Sequence, residues 1–229
     1  MGQIILASSS NTVLEGDLFD LPKPLSEMSI AHIFTAAKGS SSLESTYRRQ
    51  NLMREKGYNF EPLDIEGKNE EELASLLANK ELIFVDMGNT FYLMNAINES
   101  GFDNVVRQRI SEGAIYLGAS AGSYVACPTI EMATWKHPDV NRYDLADLKA
   151  MNLVDFLVTV HYDPKNEVLL RQKISESQYP VKILTDQQAI LVDGNETKLV
   201  GEGEEIKLID PEVKEPEELP DYGHEGKTS

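Results

Sequence analysis

One cysteine, Cys127, occurs in 229 residues, which excludes an intramolecular disulfide and a cysteine-rich zinc site and fits a reducing compartment. Basic residues are scarce. Against 38 Asp and Glu stand 21 Lys and Arg, a net charge of −17, and so acidic a surface repels the phosphates of nucleic acid and the headgroups of anionic membranes. No apolar run approaches the roughly 18 residues of a membrane span. The opening Met1-Gly2-Gln3-Ile4-Ile5-Leu6 lacks the basic flank and long apolar stretch of a signal peptide. The expectation is a cytoplasmic protein with neither nucleic acid nor membrane as partner.

With 41% hydrophobic residues, the chain can bury a sizeable core, and its length suits one α/β domain over residues 1–210. Beyond it, residues 211–229 carry Pro211, Pro216 and Pro220. From Glu202 to Ser229 ten acids face three lysines, so this end reads as a solvated acidic tail. Apolar stretches of strand length alternate with segments of helical period, the pattern of βαβ units around a mostly parallel sheet. Strands are predicted near Gln3–Ala7, Ala31–Ala36, Asn59–Leu63, Leu82–Val85, Ile115–Gly118 and Phe156–Val160. Shorter ones follow at Val181–Leu184, Ala189–Val192, Lys198–Val200 and Glu205–Ile209, with an antiparallel end. Helices are predicted over Ser42–Lys56, with Arg48, Arg49 and Glu55 on a polar face, and over Asn69–Ala78, Asn89–Ser100 and Lys165–Ser177. Pro128–Asn152 reads as a long loop, the kind that often serves a site.

The segment Gly118-Ala119-Ser120-Ala121-Gly122, entered from a buried strand and followed by a helix, is the sequence of a nucleophile elbow. Its serine needs a base, usually a histidine held by a carboxylate. Four histidines are available. His32 lies inside a predicted strand and reads as a core residue, and His224 lies in the acidic tail. His137 in the long loop is an alternative base, but His161 is preferred because it ends a strand, at the sheet edge that also carries Ser120. Asp186 likewise follows a strand and is the favoured acid, with Asp139, Asp144 and Asp163 as competitors. For an oxyanion, the N–H of Ala121 is one donor and that of Gly88 or Asn89 the other.

Three motifs in this order resemble peptidase family S51, the peptidase E or aspartyl dipeptidase type, to which cyanophycinase is more distantly related. They are Phe84-Val85-Asp86-Met87-Gly88-Asn89-Thr90-Phe91-Tyr92-Leu93, the elbow with Cys127-Pro128-Thr129-Ile130, and Asn152-Leu153-Val154-Asp155-Phe156 with His161-Tyr162. The resemblance implies a flavodoxin-like or class I glutamine amidotransferase-like three-layer fold. It also implies a serine peptidase that removes N-terminal aspartate from short peptides, with no metal or organic cofactor, as a monomer or homodimer. Ser120 and His161 carry over directly, and Asp186 matches an acidic position of some members. The substrate-binding candidates are Asn89, Thr90 and Arg171, with Arg142 a second possible cation for the substrate carboxylate. The chain departs from the family pattern at Asp86 and Met87, where relatives have glycines, and at Trp135, where an aspartate has been assigned. These departures motivate an alternative, a binding or regulatory protein or a hydrolase of another acyl compound.

Overall fold

The computed structural model describes residues 2–15, 21–136, 139 and 141–208. His137, His224 and the 211–229 tail lie outside the described residues.

Among the described residues nine strands form: β1 Ile4–Ala7, β2 Ser29–Ile33, β3 Asn59–Leu63, β4 Leu82–Val85, β5 Ile115–Ala119, β6 Leu157–Thr159, β7 Val181–Ile183, β8 Gln188–Asp193 and β9 Glu196–Gly201. The helices are α1 Ser10–Glu15, α2 Thr35–Lys38, α3 Glu44–Glu55, α4 Glu70–Leu77, α5 Thr90–Ser100, α6 Phe102–Ser111, α7 Ala121–Ala126 and α8 Glu167–Glu176. Seven strands make one sheet in the order β3-β2-β4-β5-β1-β8-β9. The five from β3 to β1 run parallel, and β8 and β9 add an antiparallel end. This is the mixed, mostly parallel α/β sheet that the sequence pattern implies.

The strands read as near-continuous apolar runs because both faces of the sheet are covered. Period-two alternation divides them. Ile4, Leu6, Ile83 and Val85 join one core with Leu73 and Leu77 of α4, Phe91 and Ile97 of α5 and Val106 of α6. Ile5, Ala7, Leu82 and Phe84 join the opposite core with Val13 and Leu14 of α1 and Met53 of α3. Helix α4 starts with a full capping box, Asn69 accepting from the N–H of Glu72 and Glu72 from that of Asn69. Gly101, at φ 70°, ends α5 in the left-handed conformation glycine favours.

The predicted helices form with ends shifted by a residue or two. The first half of 31–36 is strand, but Thr35 already opens α2. Strands β6 and β7 pair only with each other, as a separate two-stranded parallel sheet. The strand expected over 205–209 is not formed across 205–208. Gly201, at φ 103°, turns the chain away, and the carbonyls of Glu204 and Leu208 are taken by the side chains of Gln188 and Arg171 instead of a ladder partner. Arg49, expected on a polar face, is buried, for a reason found at the site.

Helix α7 crosses the sheet almost without clearance. A Cβ at Gly122 would lie 2.0 Å from the carbonyl oxygen of Val85, and one at Gly118 would lie 2.4 Å from that of Gly122. Both obstacles are backbone, which cannot swing aside. Gly122→Ala should therefore lower stability by about 3 kcal/mol, the upper part of the usual overpacking range, read as a fall in the urea midpoint at unchanged slope.

Candidate active site

The site assembles where the parallel strands end. β5 runs to Ala119, and Ser120 then takes φ 49° and ψ −106°, a conformation costly for a non-glycine residue. The close crossing of α7 dictates this reversal. Hydrogen bonds hold it: the N–H of Ser120 donates to the Ala7 carbonyl at 3.0 Å, and the Ser123 hydroxyl donates to the carbonyls of Ala7 and Gly118 at 2.8 and 2.9 Å. The Ser120 side chain is left at the mouth of a cavity of about 490 Å³.

His161 follows β6 and also has positive φ, 54°. Its Nε2 lies 3.1 Å from Ser120 Oγ and its Nδ1 lies 2.5 Å from Asp186 Oδ1. The favoured serine, histidine and aspartate are thus brought into one hydrogen-bonded line. Of the competitors, Asp139 and Asp163 line the same cavity but take other partners. Asp163 caps the turn after β6 through the N–H of Lys165, Asp144 is exposed, and Asp139 accepts the N–H of Thr90 at 2.6 Å.

Ser8, just beyond β1 and fully buried, was not singled out by its sequence context. Its hydroxyl accepts the N–H of His161 at 2.8 Å and donates to Asp186 Oδ1 at 3.0 Å, so it fixes both partners at once. Thr12 donates to the Asp186 carbonyl. Lys136 was also missed. It lines the cavity and donates to the carbonyl of Val160, and burial brings its ammonium down to about 8, with Asp186 opposing the shift.

Gly88 lies at φ 153° with Ala36 backbone 2.3 Å from where a Cβ would be. Of the two N–H groups weighed there, that of Asn89 donates to the Ala36 carbonyl at 2.9 Å. The N–H groups of Gly88 and Ala121 carry no hydrogen bond among the described residues. The Asn89 side chain caps α5 by accepting the N–H of Tyr92, while Asn89 lines a second cavity and Thr90 the first.

The Arg171 expectation is corrected. Its guanidinium pairs with Glu167 one turn earlier and donates to the Leu208 carbonyl, and Arg171 lines neither cavity. Arg142 does line the second, a space of about 560 Å³ that also holds Arg49, Met87 and Ser40, Ser41 and Ser42. Trp135 is buried in the core. Cys127 is buried too, its thiol pushed up to about 12 by burial, which makes it unreactive.

Asp86 lines neither cavity. It is fully buried, accepting from Arg49 Nε at 2.7 Å and Ser10 Oγ at 2.5 Å, and lies 3.0 Å from His32 Nε2. Its Oδ1 also accepts the N–H of Met87 at 2.8 Å. This carboxylate is the buried partner of both Arg49 and His32. Burial alone would raise its pKa, but His32, Arg49 and Ser10 outweigh that and hold it at about 2.

A nucleophile elbow at the carboxyl edge of an open, mostly parallel sheet defines an α/β protein of the elbow type. The comparison with known sequences makes this particular. The model of peptidase family S51 matches residues 4–200, and the chain belongs to that family. An uncharacterized peptidase of Pasteurella multocida is 33% identical over 204 residues, 87% of this chain and 97% of that protein. Peptidase E of a Nostoc species is 30% identical over 166 residues, 70% of this chain and 65% of that one. Among solved structures, a peptidase E protein of Listeria monocytogenes superposes with a TM-score of 0.74 at 26% identity, covering 89% of this chain and all of that one. A peptidase from an acI-B1 actinobacterium shares the fold, at TM-score 0.63 and 16% identity over 88% of each chain. Among the described residues no helix is long and apolar enough to cross a membrane.

Because the folded-state pKa of Asp86 lies below the ordinary 3.8, its ionisation stabilises the fold fully above about pH 4. That contribution, about 2 kcal/mol, is lost as pH falls toward 2. Asp86→Asn should lower stability at pH 7 by about 3 kcal/mol, since it leaves Arg49 buried without its counter-charge. It should also flatten the pH dependence of the urea midpoint between 4 and 2, which a purely steric defect would not do.

Proposed function

We propose that this protein is a serine peptidase that hydrolyses short peptides bearing an N-terminal aspartate. The observation that carries the reading is the continuous line Ser120 Oγ, His161 Nε2, His161 Nδ1, Asp186 Oδ1 at 3.1 and 2.5 Å. In this scheme His161 takes the proton from Ser120 as its oxygen attacks the scissile carbonyl. Asp186 keeps Nδ1 as the protonated nitrogen and stabilises the imidazolium. The oxyanion develops toward the N–H groups of Ala121 and Gly88, which have no competing acceptor among the described residues. His161 then gives its proton to the departing amine, and a water reverses the sequence to release aspartate and regenerate Ser120.

Preference for an acidic N-terminal residue is supported by Arg142 on the wall of the second cavity, in place of Arg171. Asp86 and Trp135 line neither cavity, so two of the three departures that favoured a binding protein leave the chemistry unobstructed. Met87 remains on the wall of the second cavity.

Purified protein should release aspartate from Asp-Leu and from Asp-p-nitroanilide but leave the corresponding glutamyl peptide uncut. Ser120→Ala and His161→Ala should each reduce turnover by at least about 10⁴-fold, and Asp186→Asn by about 10² to 10⁴-fold. Ser8→Ala should cost about tenfold, through loosened placement of His161 and Asp186. A serine that reacts with a fluorophosphonate while no dipeptide of a wide panel is cleaved would refute the peptidase reading and favour a binding role.

A further inference from the structure

His161 occupies a strained place in the chain. Its φ of 54° is left-handed, which a residue other than glycine keeps only where the surroundings hold the backbone from several sides. Two hydrogen bonds hold N–H groups: that of His161 donates to Ser8 Oγ at 2.8 Å, and that of Tyr162 donates to the Leu184 carbonyl at 3.0 Å. The carbonyls of Val160 and His161 belong to the two peptide planes that flank the His161 Cα. Among the described residues they have one donor between them, the ammonium of Lys136, which donates to Val160 and lies 3.5 Å from the His161 oxygen. A group that holds both planes fixes φ and ψ together, and with them the direction in which the imidazole leaves the chain.

Nothing in the local sequence calls for a lysine here. Lys136 is partly buried, no carboxylate among the described residues forms an ion pair with it, and burial brings its ammonium down to about 8 although Asp186 opposes the shift. A cation that gives up hydration without gaining a paired counter-charge lowers stability. Its retention at this position is explained if the carbonyls it holds matter to the site. The same loop reaches the other side of the nucleophile, where Asp139 accepts the N–H of Thr90 at the start of α5.

We propose that Lys136 is a positioning residue for the catalytic base: by holding the carbonyls of Val160 and His161, its ammonium keeps the imidazole aimed between Ser120 and Asp186. This rests on the serine, histidine and aspartate reading of the site and adds the group that fixes the histidine backbone. Charge matters to the role, because hydrogen bonds from an ionised donor are about twice as strong as those from a neutral one. Reactivity should therefore weaken as Lys136 loses its proton, above about pH 8. The other charged and titratable groups on this cavity are Asp139, Asp163, Lys165, Asp186, Tyr124 and Tyr162. Lys165 is paired with Asp163 at 2.6 Å, and burial keeps the Tyr124 phenol protonated. Stability should move in the opposite direction to reactivity. The folded-state pKa of Lys136 lies below the ordinary 10.5, so from about pH 8 to 10.5 the unfolded chain binds the extra proton and this group makes unfolding harder as pH rises.

The test reads Ser120 directly, by its rate of labelling with a fluorophosphonate. The serine oxygen displaces fluoride from phosphorus while His161 takes the serine proton, so the rate reports the aim of the imidazole whether or not a peptide is cleaved. Lys136→Met should slow labelling at pH 7 by about tenfold, and Lys136→Arg by less than about threefold. With Asp-p-nitroanilide, the loss in Lys136→Met should fall on kcat, with KM within about twofold of the parent. Between pH 7 and 9.5 the labelling rate of the parent relative to Lys136→Arg should fall by about threefold, while its urea midpoint relative to the same variant rises. This pH comparison decides the matter on two folded proteins even if Lys136→Met does not fold. Labelling of folded Lys136→Met at the parental rate would overturn the proposal, as would a rate ratio that does not change with pH. A loss confined to KM would overturn it too, and would make Lys136 a substrate contact. The expected labelling pattern without cleavage of any peptide would instead overturn the peptidase reading and leave the positioning role standing.

Discussion

The rest of the site depends on how closely α7 lies against the sheet. Without side chains at Gly118 and Gly122, the helix can begin directly over the end of β5, in contact with the Val85 carbonyl. A chain that must turn from strand to helix with so little clearance has one residue in which to do it. Ser120 therefore takes a strained positive φ, and the strain is offset by the hydrogen bonds that Ser120 and Ser123 make to Ala7 and Gly118. The exposed hydroxyl and the uncommitted N–H of Ala121 are consequences of one backbone constraint. They are not separate features that happen to coincide.

Parallel strands deliver their following loops to the same edge, and this sheet uses that property repeatedly. β1 leads to Ser8, β4 to Asp86 and Gly88, and β5 to Ser120. The histidine and the aspartate come from elsewhere, from the small β6-β7 sheet, whose register places Thr159 beside Ile183. Two sheets must therefore be held in register at the site. Ser8 does this with a single hydroxyl, accepting from the backbone of His161 and donating to Asp186. On the other side of β1, Ser10 donates to Asp86, so one short loop ties the histidine and aspartate to the glycine loop.

What was legible in the sequence was what local pattern encodes. Asn59–Leu63 and Leu82–Val85 form strands at the predicted ends, because short apolar or β-favouring runs bounded by polar residues have few alternatives. The elbow was legible because its glycines report a close approach that no other residue permits. His161 and Asp186 were legible by position, each just beyond a strand, without any knowledge of what they touch. The misses are interactions between distant segments. Nothing near Arg171 announces that Glu167 and Leu208 claim its guanidinium, and nothing near Arg49 shows that a carboxylate 37 positions later pulls it inside. Ser8 is one serine in a run of three until the fold brings a strand end 153 residues away against it.

Charge is the property in which whole chain and site differ most. The chain carries −17, so the field far from the surface opposes an acidic peptide. At physiological ionic strength that field decays within about 8 Å, and recognition falls to groups in contact with the ligand. There the balance changes. Asp86 is neutralised by Arg49 and His32 and removed from both cavities, Asp186 is engaged by His161 and Ser8, and Arg142 and Lys136 lie on the cavity walls. Asp86 lies two residues before Gly88, and a carboxylate facing an oxyanion there would oppose catalysis. Burying it with a matched guanidinium turns that liability into a fixed support for the loop bearing Gly88, since the same carboxylate also accepts the N–H of Met87. Arg49 is held inside by that carboxylate and by the buried hydroxyl of Thr46, which accepts its guanidinium at 3.2 Å.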